Sequence, residues 1–455
     1  MRDRPAASAL LLALVVAGCA TNGSPTPLPS ARSSAPSPAI STEWTGYHLN
    51  SSRTGLGSAL PALATPKVGW TADVDGDVYA SPLIVGGHVI VATENNSVYS
   101  LDLFSGTTVW KKNLGDPVAA SSLPCGNIEP VTGITGTPVA DPSTGRLYVV
   151  AYLRSHHHML FALSLVDGSV VWQQDVDPSG SDPTVQQQRG ALALGSGFVY
   201  VPLGGLFGDC GNYHGYVAAV PLTGGRSVVY RVPTSGAGIW TPAGPTVDPE
   251  GNVYVVTGNG SSRSTFDYSN TVVELSPDLQ QVKSYFTPSN WVSLNVNDID
   301  LGSIGPTVMP SLGVVMVIGK DGVAYLLKAG QLGGIGGQIT SQHVCSAGFG
   351  GTAWSGTTVF VPCSDGLYAL SISATSIGVL WHARHPEMAS PIIAAGAVWG
   401  IDVSSGVLYA LNPSSGQQIY STNLGKVEHF STPAATEGFV VAPAGRNVVA
   451  ITTAD

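Results

Sequence analysis

The stretch from Ser97 to Trp110 constrains this chain more than any other. Val98, Tyr99 and Leu101 favour a strand, Phe104-Ser105-Gly106 offers a turn, and Thr107 to Trp110 returns to β-branched and aromatic residues. A single hairpin of this kind cannot bury both faces and needs neighbours. The neighbours are further copies. Leu408-Tyr409-Ala410-Leu411 precedes Gln418-Ile419-Tyr420, and Leu367-Tyr368-Ala369-Leu370 precedes Val379-Leu380-Trp381. Looser copies centre on Phe161, Ala218, Val273, Tyr325 and Val449, which makes eight. An all-β period of roughly 40 to 60 residues predicts a propeller or solenoid.

The pattern Tyr-Ala-Leu-Asp-x-x-Thr-Gly-x-x-x-Trp resembles the blade signature of the PQQ-like (quinoprotein-like) β-propeller repeat. The resemblance runs from about Val68 to Ile451, and is similar in kind to the propeller lipoprotein of the bacterial outer-membrane assembly machine. It implies an all-β fold, a single propeller of eight four-stranded blades. Lys67 to Val74 reads as a fourth strand without its own first three. Ser431 to Ala434, Phe439 to Ala442 and Asn447 to Thr452 read as three strands without a fourth. Closure by a shared last blade is therefore expected, which protects the sheet edges.

Three segments follow. Residues 1–18 read as a lipoprotein signal peptide: Arg2 and Arg4 precede an apolar run too short to span a bilayer, and Val16-Ala17-Gly18-Cys19 resembles a lipobox with Cys19 as the lipidated residue. An ordinary signal peptide with a chance cysteine is the alternative. Residues 19–42 are a Pro- and Ser-rich tether, and 43–455 the propeller. Trp44 and Tyr47, in a leader ending in Ser52-Arg53-Thr54-Gly55, are expected to pack on the first or last blade. A formal net charge of -10 argues against a nucleic-acid partner. The expected placement is an exported, monomeric protein lipid-anchored to the cell membrane or outer membrane, touching the membrane through its anchor alone.

In an antiparallel blade with strands A to D, the D–A and B–C loops share one end of the propeller. Six long insertions fall there, all in blades 2 to 5: 116–133, 153–159, 176–189, 204–215, 258–270 and 287–302. Loops on a rigid scaffold carry function more often than strands do. Cys125 and Cys210 lie on this end in adjacent blades, and Cys345 and Cys363 flank the first two strands of blade 6. The expected disulfides are Cys125–Cys210 and Cys345–Cys363, two other pairings being open. Ligand-binding candidates are Arg189, Asp209, Tyr213, His214, Trp240, Asp298, Asp300 and Lys320. Most are expected around one concavity at the channel mouth, a mixture suited to polyols or a partner loop. The triplet His156-His157-His158 reads as a solvated loop, because consecutive side chains splay apart; no metal site is expected.

The function expected is a non-catalytic envelope scaffold that binds a protein or glycan. The alternatives are a PQQ/Ca-dependent quinoprotein dehydrogenase and another sugar-acting envelope enzyme. The dehydrogenases of this resemblance carry a vicinal disulfide, a Trp floor and a Ca²⁺-binding acid set. No Cys-Cys pair occurs here, and Trp240 with Asp298 or Asp300 are candidates by position alone. No cofactor is expected on this reading.

Overall fold

A computed structural model describes residues 43–57, 64–385 and 387–453. Cys19, the signal peptide and the tether lie outside the described residues. The described residues form an eight-bladed propeller, each blade built on four antiparallel strands. Blade 1 runs Leu83–Val85, His88–Ala92, Ser97–Asp102 and Thr108–Asn113. Blade 2 runs Val139–Asp141, Arg146–Leu153, His157–Ser164 and Val170–Asp175. The innermost strands of blades 3 to 7 are Ala193–Gly195, Thr246–Val247, Thr307–Met309, Ala353–Ser355 and Ile392–Ala394. Blade 8 takes Ala434–Thr436, Phe439–Ala444 and Asn447–Thr452 from the C-terminal end and Lys67–Asp73 from the N-terminal side. Lys67 pairs with Thr452 and Asp73 with Asn447, so the ring closes by the shared blade that the sequence predicts.

The repeat signature has a packing cause. The turn glycine of one blade seats the strand-D tryptophan of the blade before it. A Cβ on Gly106 would meet the Trp70 ring at 2.6 Å, one on Gly168 the Trp110 ring at 2.7 Å, and one on Gly416 the Trp381 ring at 2.6 Å. These three glycines also sit at φ near +70°, where L side chains are strained. Each indole N–H donates to the same turn: Trp70 to the Leu103 carbonyl at 2.8 Å, Trp110 to Leu165 at 3.2 Å and Trp381 to Pro413 at 2.9 Å. The small-Leu step of the repeat marks a recurring bulge between strands C and D, seen at Ser100/Leu101, Ala162/Leu163, Ala369/Leu370 and Ala410/Leu411. Between blades the cores are aliphatic: Val139, Val150 and Leu160 of blade 2, for instance, face Val199 and Val201 of blade 3.

Three features depart from the sequence reading. Tyr47 does not pack on the first or last blade. It lies at the centre of the ring, against Ala191 and Ala243, with its hydroxyl on Ser390 Oγ at 2.7 Å. Gly334–Ile335 leaves blade 5 to pair in parallel with the outer strand of blade 4, Val282–Thr287. Finally, His157 and His158 are not in a solvated loop. They begin strand C of blade 2, and His158 is buried.

Candidate functional site

The two ends of the channel differ. On the A–B side, residues 43–57 cross the opening and bond to the inner strands of blades 1, 2, 3, 4, 6 and 7. Trp44 N–H donates to the Ile84 carbonyl, and the Thr45 carbonyl accepts from Ala140. Ser51 accepts at its hydroxyl from Leu194 and at its carbonyl from Val247, and Thr54 and Gly55 carbonyls accept from Trp354 and Ile393. Arg53 is buried beneath and donates to the carbonyls of Pro245, Tyr47 and Leu192 at 3.2, 3.0 and 2.9 Å. His48, fully buried, pairs its Nδ1 with the Thr352 carbonyl at 3.0 Å, and burial holds its pKa down to about 3.

On the D–A side the mouth stays concave. A pocket of about 190 Å³ is walled by Arg189, Leu206, Phe207, Asp209, Tyr213, Trp240, Asp300, Lys320, Phe349 and Phe430, among others. Six of the sequence candidates come together there: Arg189, Asp209, Tyr213, Trp240, Asp300 and Lys320. Asp300 ends the long loop before blade 5. Its Oδ1 accepts the Asn259 N–H at 2.7 Å, and its Oδ2 lies 2.6 Å from Lys320 Nζ. Burial raises the Asp300 pKa, partly offset by Lys320. Burial works against the Lys320 ammonium, but the Asp300 carboxylate outweighs it and the Lys320 pKa is raised. Tyr213 donates to Asp209 Oδ1 at 2.5 Å, and burial with that carboxylate pushes the phenol pKa up. The Cys125–Cys210 disulfide forms as expected and ties the loop before blade 2 to the loop that carries Asp209 and Tyr213. Cys345–Cys363 also forms.

Two candidates are not in the pocket wall. His214 turns toward the outer strand of its own blade, with Nδ1–H on the Val232 carbonyl at 3.0 Å and Nε2 accepting from Arg231 at 2.6 Å. The neighbouring strand offers these partners, and the ring is buried against them. Asp298, at φ 55°, directs its carboxylate out to solvent, where it accepts from Asn259 Nδ2 at 2.7 Å. Its side chain is 73% exposed and reaches Lys320 only at 3.6 Å.

Sequence reasoning missed Phe349, His429 and Phe430. They come from the connections into blades 6 and 8, beyond the blades with long insertions. With them the mouth shows an ordered run of cations and rings. The Arg189 guanidinium lies 4.7 Å from the Phe430 centroid, the Phe430 and Trp240 centroids are 6.4 Å apart, and Lys320 Nζ lies 5.8 Å from the Trp240 centroid. His429 stands beside Phe430, and burial, with the Arg189 charge, lowers its pKa to about 4. A tail-end Phe between two blades has no repeat signal of its own. The available clue was position, since every D–A connection converges on the channel.

Residues 54–201 match the sequence family described as outer membrane protein assembly factor BamB. A polyvinylalcohol dehydrogenase from a Pseudomonas species is 21% identical over 271 residues, covering 53% of this chain and 40% of that relative. The chain thus aligns with well under half the length of that relative. Among solved structures, quinohemoprotein alcohol dehydrogenase from Pseudomonas putida superposes with a TM-score of 0.74 at 12% identity, covering 90% of this chain and 80% of that one. The quinohemoprotein alcohol dehydrogenase of Comamonas testosteroni gives 0.72 at 15%, covering 91% and 81%. BamB from Moraxella catarrhalis gives 0.57 at 14%, covering 86% and 98%. The blade signature, the eight-bladed ring and these likenesses make this chain similar in fold to the PQQ-like β-propellers.

Proposed function

We propose that the channel mouth is a small-molecule site and that this chain is an exported, lipid-anchored propeller binding a planar organic anion there. The observation that carries the reading is the run Arg189, Phe430, Trp240, Lys320 around one recess. Two aromatic faces take a flat ring, and the flanking cations meet its carboxylates or carbonyl oxygens. Such a recess suits a small ligand better than the protein or glycan partner expected from sequence. The quinone class named in the solved relatives fits this chemistry. A quinone bound there would accept a hydride, two electrons with one proton, from an alcohol. Asp300, buried beside Lys320, is then the group placed to take a hydroxyl proton.

A Ca²⁺ ion fits less well. Ca²⁺ takes about six to eight oxygens. Here one oxygen of Asp300 faces Lys320 and the other accepts a backbone N–H, Asp209 is engaged by Tyr213, and Gln187 offers only an amide. The pocket residues do not assemble a hard-cation site, and no step is drawn through one. The test is to titrate the purified protein with PQQ, with and without Ca²⁺, following tryptophan fluorescence. Saturable quenching without Ca²⁺ is expected, abolished in Trp240→Ala and weakened about tenfold in Arg189→Met. Equal quenching in wild type and both variants would overturn the site. Export and anchoring are tested separately, since Cys19→Ser should release the protein from the membrane fraction.

A further inference from the structure

We propose that His157, Asp175 and Asp177, on the outer rim of blade 2, form a binding site for a transition-class divalent cation such as Zn²⁺. The site is separate from the channel mouth. Its geometry follows from strand pairing. Met159 of strand C lies opposite Asp175 of strand D, and residues two apart share a face of the sheet. His157, the first residue of strand C, and Asp177, two residues past the end of strand D, therefore continue the same face. A short turn completes the arrangement, because Asp175 Oδ1 accepts the Asp177 N–H at 2.8 Å and draws the second carboxylate back toward the first.

The donor atoms converge. His157 Nδ1 lies 2.7 Å from Asp175 Oδ2 and 3.5 Å from Asp177 Oδ2. All three ligand atoms fall within 4.8 Å of one another. Tetrahedral Zn²⁺ with bonds of about 2.0–2.1 Å needs donors about 3.3 Å apart, and the two spacings straddle that value. One imidazole nitrogen with two carboxylates favours Zn²⁺, Co²⁺ or Ni²⁺ over ions that select oxygen alone. The His157 and Asp175 side chains are 49% and 44% exposed, so water has access to the remaining coordination positions.

A second, independent observation is the support behind Asp177. His158 points the other way along the strand, yet its Nδ1 lies 2.7 Å from Asp177 Oδ1 and its backbone N–H donates to Asp177 Oδ2 at 3.0 Å. That imidazole is buried and stacked on Tyr152 at 4.1 Å, and the Tyr152 hydroxyl donates to the Pro183 carbonyl at 2.7 Å. A ligating carboxylate fixed by a buried, stacked imidazole has the outer-shell support that metal sites use. Consecutive histidines splay apart, as the sequence reading holds, but one ligates and the next orients. The missing ligands came from the neighbouring strand. The only other such cluster among the described residues includes Cys345 and Cys363, which are joined in a disulfide and do not ligate.

A metal here would pin the start of strand C to the segment 176–189, which leads to Gln187 and Arg189 in the pocket wall. The experiment is calorimetric titration of ZnCl₂ into the untagged, disulfide-intact protein. One equivalent is expected, with a raised Tm. His157→Ala and Asp175→Asn, both at half-exposed positions, should each lose at least about tenfold in affinity, and the exposed His343→Ala none. Circular dichroism checks that each variant is folded, and Asp177→Asn serves as a third if either is not. No binding to wild type, affinity unchanged in the folded variants, or displacement of Zn²⁺ by equimolar Ca²⁺ would overturn the proposal.

Discussion

At the A–B end of the channel, the leader spends its polar groups on the scaffold: Arg53 alone satisfies three carbonyls from residues 47, 192 and 245. At the D–A end, the charged groups satisfy one another across a recess, Lys320 with Asp300 and Tyr213 with Asp209. The first arrangement removes conformational choice. The second leaves polar atoms that another molecule can compete for. One scaffold therefore separates closure from binding by spending its backbone partners at one end and its side-chain pairs at the other.

The comparison breaks most completely if the ring itself opens. Deleting Lys67–Asp73 removes the outer strand of blade 8, with its six-residue pairing to Lys67↔Thr452 through Asp73↔Asn447, and the Trp70 that docks on Gly106. Loss of cooperative folding is the expected result, read by urea denaturation. A truncation that unfolds cooperatively as a monomer would show that the ends do not depend on closure.

Next in size is Arg53→Met. It leaves three buried carbonyls without a donor, and each unsatisfied group costs about 1–3 kcal/mol, so a loss of about 4 kcal/mol is expected for the plugged end. Arg189, at the pocket end, donates to the His429 carbonyl at 3.3 Å, and Arg189→Met should cost less, about 1 kcal/mol. Equal losses in the two variants would mean that the ends are not built differently.

How far each end was legible follows from the same physics. The ring was readable because its period, its turn glycines and its strand-D tryptophans are local and repeat, so Trp70, Trp110 and Trp381 announce their own docking partners. Asp300, Lys320, Trp240 and Arg189 were found because long insertions and strand order put them at one mouth. His214 was misplaced because sequence does not say which of two faces a residue leaving a strand will take, and Arg231 with the Val232 carbonyl decided it. Tyr47, Phe430 and the Asp175–Asp177 partners of His157 depend on contacts between segments far apart in the ring or across strands. No local pattern encodes those contacts.

The disulfides sharpen the comparison within the pocket end. Cys125–Cys210 closes a separation of 85 residues and Cys345–Cys363 one of 18. Chain-entropy arguments give roughly 4.6 and 3 kcal/mol respectively. Cys125→Ser with Cys210→Ser should also raise hydrogen exchange in 116–133 and 204–215 while leaving the leader protected. Exchange that rises equally in the leader would mean that the two ends unfold as one unit.

The last effect expected is the pH dependence of one buried acid on the pocket side. Glu94 follows strand B of blade 1 and is buried. Its Oε2 accepts the Gly133 N–H at 2.6 Å, while Oε1 has no hydrogen-bond partner. Burial raises its pKa from 4.5 to about 7, against the Gly133 hydrogen bond, the Thr135 hydroxyl and the Arg189 charge, with Asp77 adding to the rise. Between those two values the folded protein keeps a proton that the unfolded chain has lost. Stability contributed by this group is therefore full below about pH 4.5, falls as the pH climbs to about 7, and is constant above. Glu94→Gln keeps an acceptor for Gly133 and removes the titration. The variant should match wild type near pH 4.5 and exceed it by about 3 kcal/mol above pH 7, measured as the difference between their urea unfolding free energies. Taking the difference cancels the other titrating groups, Asp300 among them. His48 at the plugged end gives the opposite sign: held neutral by burial, it lowers stability as the pH falls from 6.5 toward about 3. A Glu94→Gln difference that stays flat across the window would show that burial does not hold a proton on Glu94.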